Sequence, residues 1–207
     1  MTKIILVRHG QCEANVSHHF ACHFDSPLTS LGRKQAVAVA DYLVPRYQID
    51  RIYASTVSRT QDTARPTAER LGLAIQPVAG LLEINCGDWE NRPTADLRAN
   101  DPMFSLWGTD MARIQCPGGE SMPEFTRRVL DTVKRLAEEN DGKTILLASH
   151  WTPICAAITK ATGGEIKDMS QFSTTLLNAS LHFLCYENGS LTADRICFTE
   201  HLADVTE

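Results

Sequence analysis

Four basic side chains fall just past the ends of three short apolar runs. Arg8 and His9 follow Lys3 to Val7, Arg59 lies shortly beyond Arg51 to Ala54, and His150 follows Thr144 to Ala148. If those runs are parallel strands, their carboxyl ends open onto one crevice, which is where open α/β sheets bind ligands. Two arginines and two histidines repel one another there unless an anion joins them. A phosphate monoester suits the crevice, being largely dianionic at pH 7 with a second pKa of about 6. Guanidinium forks match its oxygens, and amides at the start of a helix opening at Ser58 add partial positive charge.

A histidine in such a pocket can do more than bind. Neutral imidazole attacks phosphorus without first losing a proton. Enzymes accelerate phosphate-monoester hydrolysis by up to about 10²¹-fold, or ~28 kcal/mol of barrier. No single hydrogen bond supplies that, so several charged donors must act on the same developing charge. The leaving oxygen also needs a proton. Glu83 lies between the apolar neighbours Leu82 and Ile84, and partial burial there raises a carboxyl pKa toward general-acid use.

The elements that must position these groups are legible as alternating strands and helices, the pattern of an α/β fold with a mainly parallel sheet. Lys3 to Val7 reads as a buried strand. Thr29 caps a helix to Leu43, with Pro45 beyond it. Arg51 to Ala54 is a second strand, Ser58 to Leu71 a helix closed by Gly72, and Ala74 to Val78 a third strand. Residues 91–120, rich in proline and glycine, read as irregular chain and as a lid or insertion over the site. Ser121 and Glu124 form a capping box before a helix carrying Met122, Phe125, Val129, Val133 and Leu136 at spacings of three and four. Thr144 to Ala148 is the clearest strand and is followed by a helix from Pro153 to Thr162. Ala179, Leu181, Phe183 and Cys185 alternate toward the Asn188-Gly189 turn of a hairpin that returns through Leu191 to Phe198.

With these segments assembled, the chain resembles the histidine phosphatase superfamily, the clan that includes cofactor-dependent phosphoglycerate mutases. Arg8-His9-Gly10 carries the signature, continued by Gln11-Cys12-Glu13-Ala14-Asn15. Pro27-Leu28-Thr29, Ser58-Arg59-Thr60, the run Glu83 to Glu90, Pro117-Gly118-Gly119-Glu120-Ser121, Ser149-His150 and Asn178-Ala179-Ser180 match in order. The resemblance spans nearly all of residues 1–207, taken as one domain. It implies a three-layer α/β fold, a central sheet flanked by helices, and no metal or cofactor. It implies His9 as the nucleophile that becomes phosphorylated and Arg8, Arg59 and His150 as the phosphate pocket. Glu83 is then the proton donor that later activates water, and Asn15 a further phosphate contact. Two departures stand out. Cys22 occupies a position that is often glycine in the family, where backbone approaches the phosphate, so Ala21 and Cys22 become candidate contacts. Trp151 replaces the glycine usual after the second histidine, and its indole either narrows the pocket or stacks on substrate.

Other segments have blander readings. His18-His19-Phe20-Ala21-Cys22-His23 has the composition of a zinc site, but a loop at the pocket mouth is preferred. Cys86 and Arg92 have the spacing of a cysteine-phosphatase loop. The intervening Asp88 and Glu90 would repel a phosphate dianion, so the match is taken as coincidence. Cys12 reads as an inert thiol unless it is exposed. Met103, Phe104 and Trp107 either line a substrate lid or pack in the core.

Composition sets the outer bounds. At 207 residues the chain can bury a full core unaided. Its 43% hydrophobic and 22% charged residues exclude disordered and fibrous classes. A net charge of -5 gives no support to nucleic-acid or anionic-membrane binding. No apolar run approaches the roughly 18 residues of a membrane span. Seven irregularly spaced cysteines argue against a secreted disulfide framework and for reduced thiols in a cytoplasm. An edge strand or the C-terminal hairpin could pair with a second copy in a homodimer. The expectation is a metal-independent phosphatase for small-molecule phosphate monoesters, acting through a phosphohistidine. A phosphoglycerate mutase-type phosphotransferase and a non-catalytic phospho-ligand-binding regulator are the alternatives.

Overall fold

A computed structural model describes residues 1–172 and 174–206. In chain order the elements are β1 (Thr2–Arg8), α1 (Glu13–Val16), β2 (His19–Phe20), α2 (Ser30–Leu43), β3 (Arg51–Ala54), α3 (Ser58–Leu71), β4 (Ile75–Pro77), β5 (Arg92–Pro93), α4 (Thr94–Asn100), α5 (Met122–Glu138), β6 (Thr144–Ser149), α6 (Trp151–Ala161), β7 (Leu181–Glu187) and β8 (Ser190–Phe198). The main sheet runs β4-β3-β6-β1-β7-β8. Its first four strands are parallel, and β7 and β8 add antiparallel pairings at one side.

Strand alternation divides the core into two layers. Ile5, Val7, Ile52, Leu146 and Ala148 pack with Val39 and Leu43 of α2 and Ala64 and Ala68 of α3. Ile4, Leu6, Ile145 and Leu147 face the other way, onto Phe125, Val129 and Val133 of α5 and Ile154 and Ile158 of α6. The sheet is therefore covered on both faces, the expected three-layer arrangement. The local signals hold where they were strongest. Thr29 Oγ1 accepts the Gly32 amide, Gly72 closes α3 at φ 64°, and the capping box of Ser121 and Glu124 opens α5.

Three differences have physical causes. Helix α6 starts at Trp151, because Pro153 sits in its first turn, where a missing amide costs no helical hydrogen bond. Residues 91–120 contain a strand, a helix and short 3₁₀ turns. Leu97, Phe104, Met111, Ile114 and Cys116 are all buried, so much of this segment belongs to the core. Strand β7 is buried on both faces, Leu181 and Phe183 joining the layer of α2 and α3 and Leu184 and Tyr186 that of α5 and α6. Among the described residues all seven cysteines are free thiols, and no helix is long and apolar enough to cross a membrane.

Candidate active site

The carboxyl ends of β1 and β6 open onto one cavity of about 200 Å³, and the residues after β3 reach it indirectly, through Ser55 and Arg59 on His150. Arg8, His9, Asn15, His19, Phe20, Ala21, Cys22, Glu83, Trp107, His150, Trp151 and Thr152 line it. Arg59 stands behind His150. The tight turn after β1 depends on Gly10, since a Cβ there would fall 2.6 Å from the Gly32 carbonyl of α2. The Gly10 amide donates to Thr63 Oγ1 of α3 at 2.9 Å.

His9 is 5% exposed. Its Nδ1 lies 2.8 Å from the Gly10 carbonyl, which can only accept, so the neutral ring carries its proton on Nδ1 and its lone pair on Nε2. Burial first, then the Arg59 and Arg8 guanidiniums, hold His9 well below the ordinary 6.5. The ring is therefore neutral near pH 7. His150, whose ring centroid is 5.3 Å from that of His9, is held in the opposite tautomer. Arg59 Nη2 donates to its Nδ1 at 3.2 Å, and its Nε2 donates to Ser55 Oγ at 2.7 Å. Burial and the neighbouring cations keep this ring neutral as well.

Arg59, 1% exposed, ties three parts of the site together. Besides His150 it donates to the carbonyls of Cys22 at 2.6 Å and Phe24 at 2.8 Å. Arg8 Nη1 is anchored on the Leu176 carbonyl at 2.6 Å. Asn15 Oδ1 accepts from the Cys12 amide and thiol and from Asn178 Nδ2, leaving its own Nδ2 to donate to a ligand. The buried Cys12 thiol is thereby engaged.

Glu83 is 7% exposed. Its carboxyl accepts from the Ile84 amide at 2.8 Å and from the Thr152 amide, in the first turn of α6, at 3.1 Å. Desolvation outweighs both bonds and raises its pKa above the ordinary 4.5. Its carbonyl is held by His23 Nε2 at 2.9 Å and Arg128 Nη2 at 3.1 Å.

Several of these supports were not singled out from the sequence. Ser55, one residue past β3, orients His150, and Thr152 positions Glu83. Glu90 accepts the amides of Cys22 at 2.7 Å and His23 at 2.9 Å, so the Cys22 amide is engaged within the protein although the residue lines the cavity. Asp25 accepts the Ser58 amide and hydroxyl; that end of α3 is thus capped by a side chain and does not present this amide to the pocket. Cys22, Cys86 and Glu90 place their ligand atoms within 4.8 Å of one another, with the Cys86 thiol donating to Glu90 at 3.4 Å. His19 bonds Ser17 and His23 bonds Glu83, so these two histidines turn to different partners.

The model of the histidine phosphatase superfamily (branch 1) matches residues 4–199. The chain belongs to this superfamily. Mycobacterium tuberculosis "Bifunctional protein Rv2228c" is 34% identical over 154 residues, covering 74% of the chain but only 42% of that protein. The chain thus spans less than half the length of this relative. The "Adenosylcobalamin/alpha-ribazole phosphatase" of Salmonella typhimurium is 31% identical over 196 residues, 94% of this chain and 91% of that one. Among solved structures, Bacillus stearothermophilus YhfR superposes with a TM-score of 0.91 over 98% of this chain and 100% of its own. It is 23% identical, a likeness of fold.

Proposed function

We propose that this histidine phosphatase superfamily member hydrolyses small-molecule phosphate monoesters through a phosphohistidine at His9. The observation that carries the reading is a neutral, enclosed imidazole with its Nε2 lone pair free, sharing a cavity with Arg8, His150 and a protonatable Glu83. Arg8 and Asn15 Nδ2 bind the phosphoryl oxygens, His150 joins them as its Nε2–H turns from Ser55 Oγ to the phosphoryl group, and the Arg59 guanidinium adds positive charge from beside His150. His9 Nε2 bonds to phosphorus as the ester P–O bond breaks, and the leaving oxygen takes the Glu83 proton. Water then attacks phosphorus, returns a proton to the Glu83 carboxylate, and the P–N bond breaks to release phosphate. Ala21, Cys22 and Trp151 shape the cavity around this chemistry, and residues 91–120 reach it through Trp107. Release of inorganic phosphate, measured beside any isomerised product, tests the reading. Isomer alone would favour the mutase, and binding without turnover the regulator.

Glu83→Gln is expected to lower kcat on alkyl phosphates by about 10²–10⁴-fold, and far less on p-nitrophenyl phosphate, whose leaving oxygen needs little protonation. Equal losses on both would remove Glu83 from the acid role. The pH profile gives a second check. Activity rises with pH through the depressed His9 pKa as the ring becomes neutral, and falls as pH passes the raised Glu83 pKa and the acid is lost. The glutamine variant should keep the rising limb and lose the falling one.

The basic groups supply the neutralisation that a cation would otherwise bring to the transferring phosphoryl. Activity is therefore expected to persist in EDTA, and loss that zinc or magnesium restores would contradict the assignment.

A further inference from the structure

Beyond the catalytic groups, much of the cavity wall is aromatic. Phe20, Trp107 and Trp151 all line it. The indoles of Trp107 and Trp151 lie 6.5 Å apart between ring centroids, tilted by 37°, and Phe20 meets Trp107 edge-on at 4.8 Å. Trp107 is braced from behind. It stacks on the buried Phe104 at 6.0 Å and 7°, and Phe104 in turn meets the buried Trp89 edge-on at 5.1 Å. Trp151 opens α6, the helix whose next amide holds Glu83. Both indoles are therefore fixed by the fold before a ligand arrives.

The charges are as informative as the rings. Arg8 is the one lysine or arginine among the lining residues, and the phosphoryl group claims it. His19 also lines the cavity but directs Nδ1 to Ser17. In the segment that carries Trp107, Arg92 pairs with Asp96 at 2.6 Å and Arg113 with Asp110 at 3.7 Å, and the exposed Arg98 does not line the cavity. A second anionic group on the substrate would be desolvated against indole without a dedicated counter-ion, which is costly. The size is also limiting. About 200 Å³ falls below the roughly 300–1,000 Å³ of sites for drug-sized ligands. It suits a phosphoryl group and one ring.

Resting on the phosphatase reading above, we propose that the pocket selects monoesters whose alcohol carries one uncharged planar ring, and that Trp107 and Trp151 determine this selectivity. The ring lies on the indole wall while phosphate engages His9.

Benzyl phosphate, ethyl phosphate and 3-phosphoglycerate test this with alkyl leaving groups throughout, so the ring is separated from leaving-group reactivity. In the wild type, kcat/KM for benzyl phosphate is expected to exceed each of the others by at least about ten-fold. Trp107→Ala and Trp151→Gly should each lower the benzyl-to-ethyl ratio by about ten-fold, equivalent to about 1.4 kcal/mol. Trp107→Phe, which keeps a ring, should restore most of it. A wild-type ratio below about two, 3-phosphoglycerate matching benzyl phosphate, or an unchanged ratio in both tryptophan variants overturns the proposal. If a variant fails to fold, the wild-type series alone decides. No phosphate release from any ester, p-nitrophenyl phosphate included, overturns the phosphatase reading and this inference with it. Release without ring preference overturns this inference alone.

Discussion

His9→Ala is expected to abolish turnover, lowering kcat by on the order of 10⁵–10⁶, the scale on which covalent catalysis collapses when its nucleophile is deleted. The loss is this large because no other group in the cavity is placed to replace it. His150 presents Nε2 to Ser55 and Nδ1 to Arg59, so both of its ring nitrogens are engaged, whereas His9 commits only Nδ1. Removing the imidazole leaves a small void and takes the Nδ1–H away from the buried Gly10 carbonyl, at a cost of about 1–3 kcal/mol, so the variant should still fold, with a melting temperature several degrees below the wild type. Rapid-quench labelling with a radioactive ester should trap an acid-labile, alkali-stable phosphoryl group on the wild type and none on the variant. Turnover that persists in His9→Ala, or a label on another residue, would end the phosphohistidine account.

The second large effect is expected at Arg59. Arg59→Ala should reduce kcat/KM by about 10³–10⁵, the range over which a single arginine stabilises a transferring phosphoryl group. It should also destabilise the fold. The substitution strips donors from the carbonyls of Cys22 and Phe24 and from His150 Nδ1, and each buried acceptor left alone costs about 1–3 kcal/mol. Arg59→Lys separates the two roles. Lysine keeps the charge but cannot span three acceptors with one planar fork, so thermal melting should recover more than activity does. A lysine variant within ten-fold of wild-type kcat/KM would show that charge alone suffices. An alanine variant with full activity would show that the Arg59 charge beside His150 does not act on the transferring phosphoryl group.

Elements whose signals are local were legible before any coordinates. The Thr29 cap, the Gly72 stop, the Ser121–Glu124 box and the Asn188-Gly189 turn each depend on residues within a turn of one another. Their side chains bond their own backbone or set its dihedrals wherever the chain goes. Helix α4 was missed because its seven residues fall between Pro93 and Pro102, and breakers on both flanks hid a short periodic stretch. Strand β7 alternates in sequence yet is buried on both faces, because a strand cannot encode which neighbours will cover it.

The amino-acid order by itself determined the α/β class and which basic groups sit at which strand ends, because strand and helix signals are written in neighbouring residues. It also named His9, Glu83, Arg59 and His150 as the groups worth following. Only the tertiary structure decided that both nitrogens of His150 are engaged, by Ser55 and Arg59, that Glu90 and Asp25 occupy amides a phosphate could have used, and that Trp107 meets Trp151 across the cavity. Those outcomes rest on contacts between residues tens of positions apart. Hydrogen-bond partners, desolvation and the field of nearby guanidiniums depend on distance in space, which the chain acquires only when it folds.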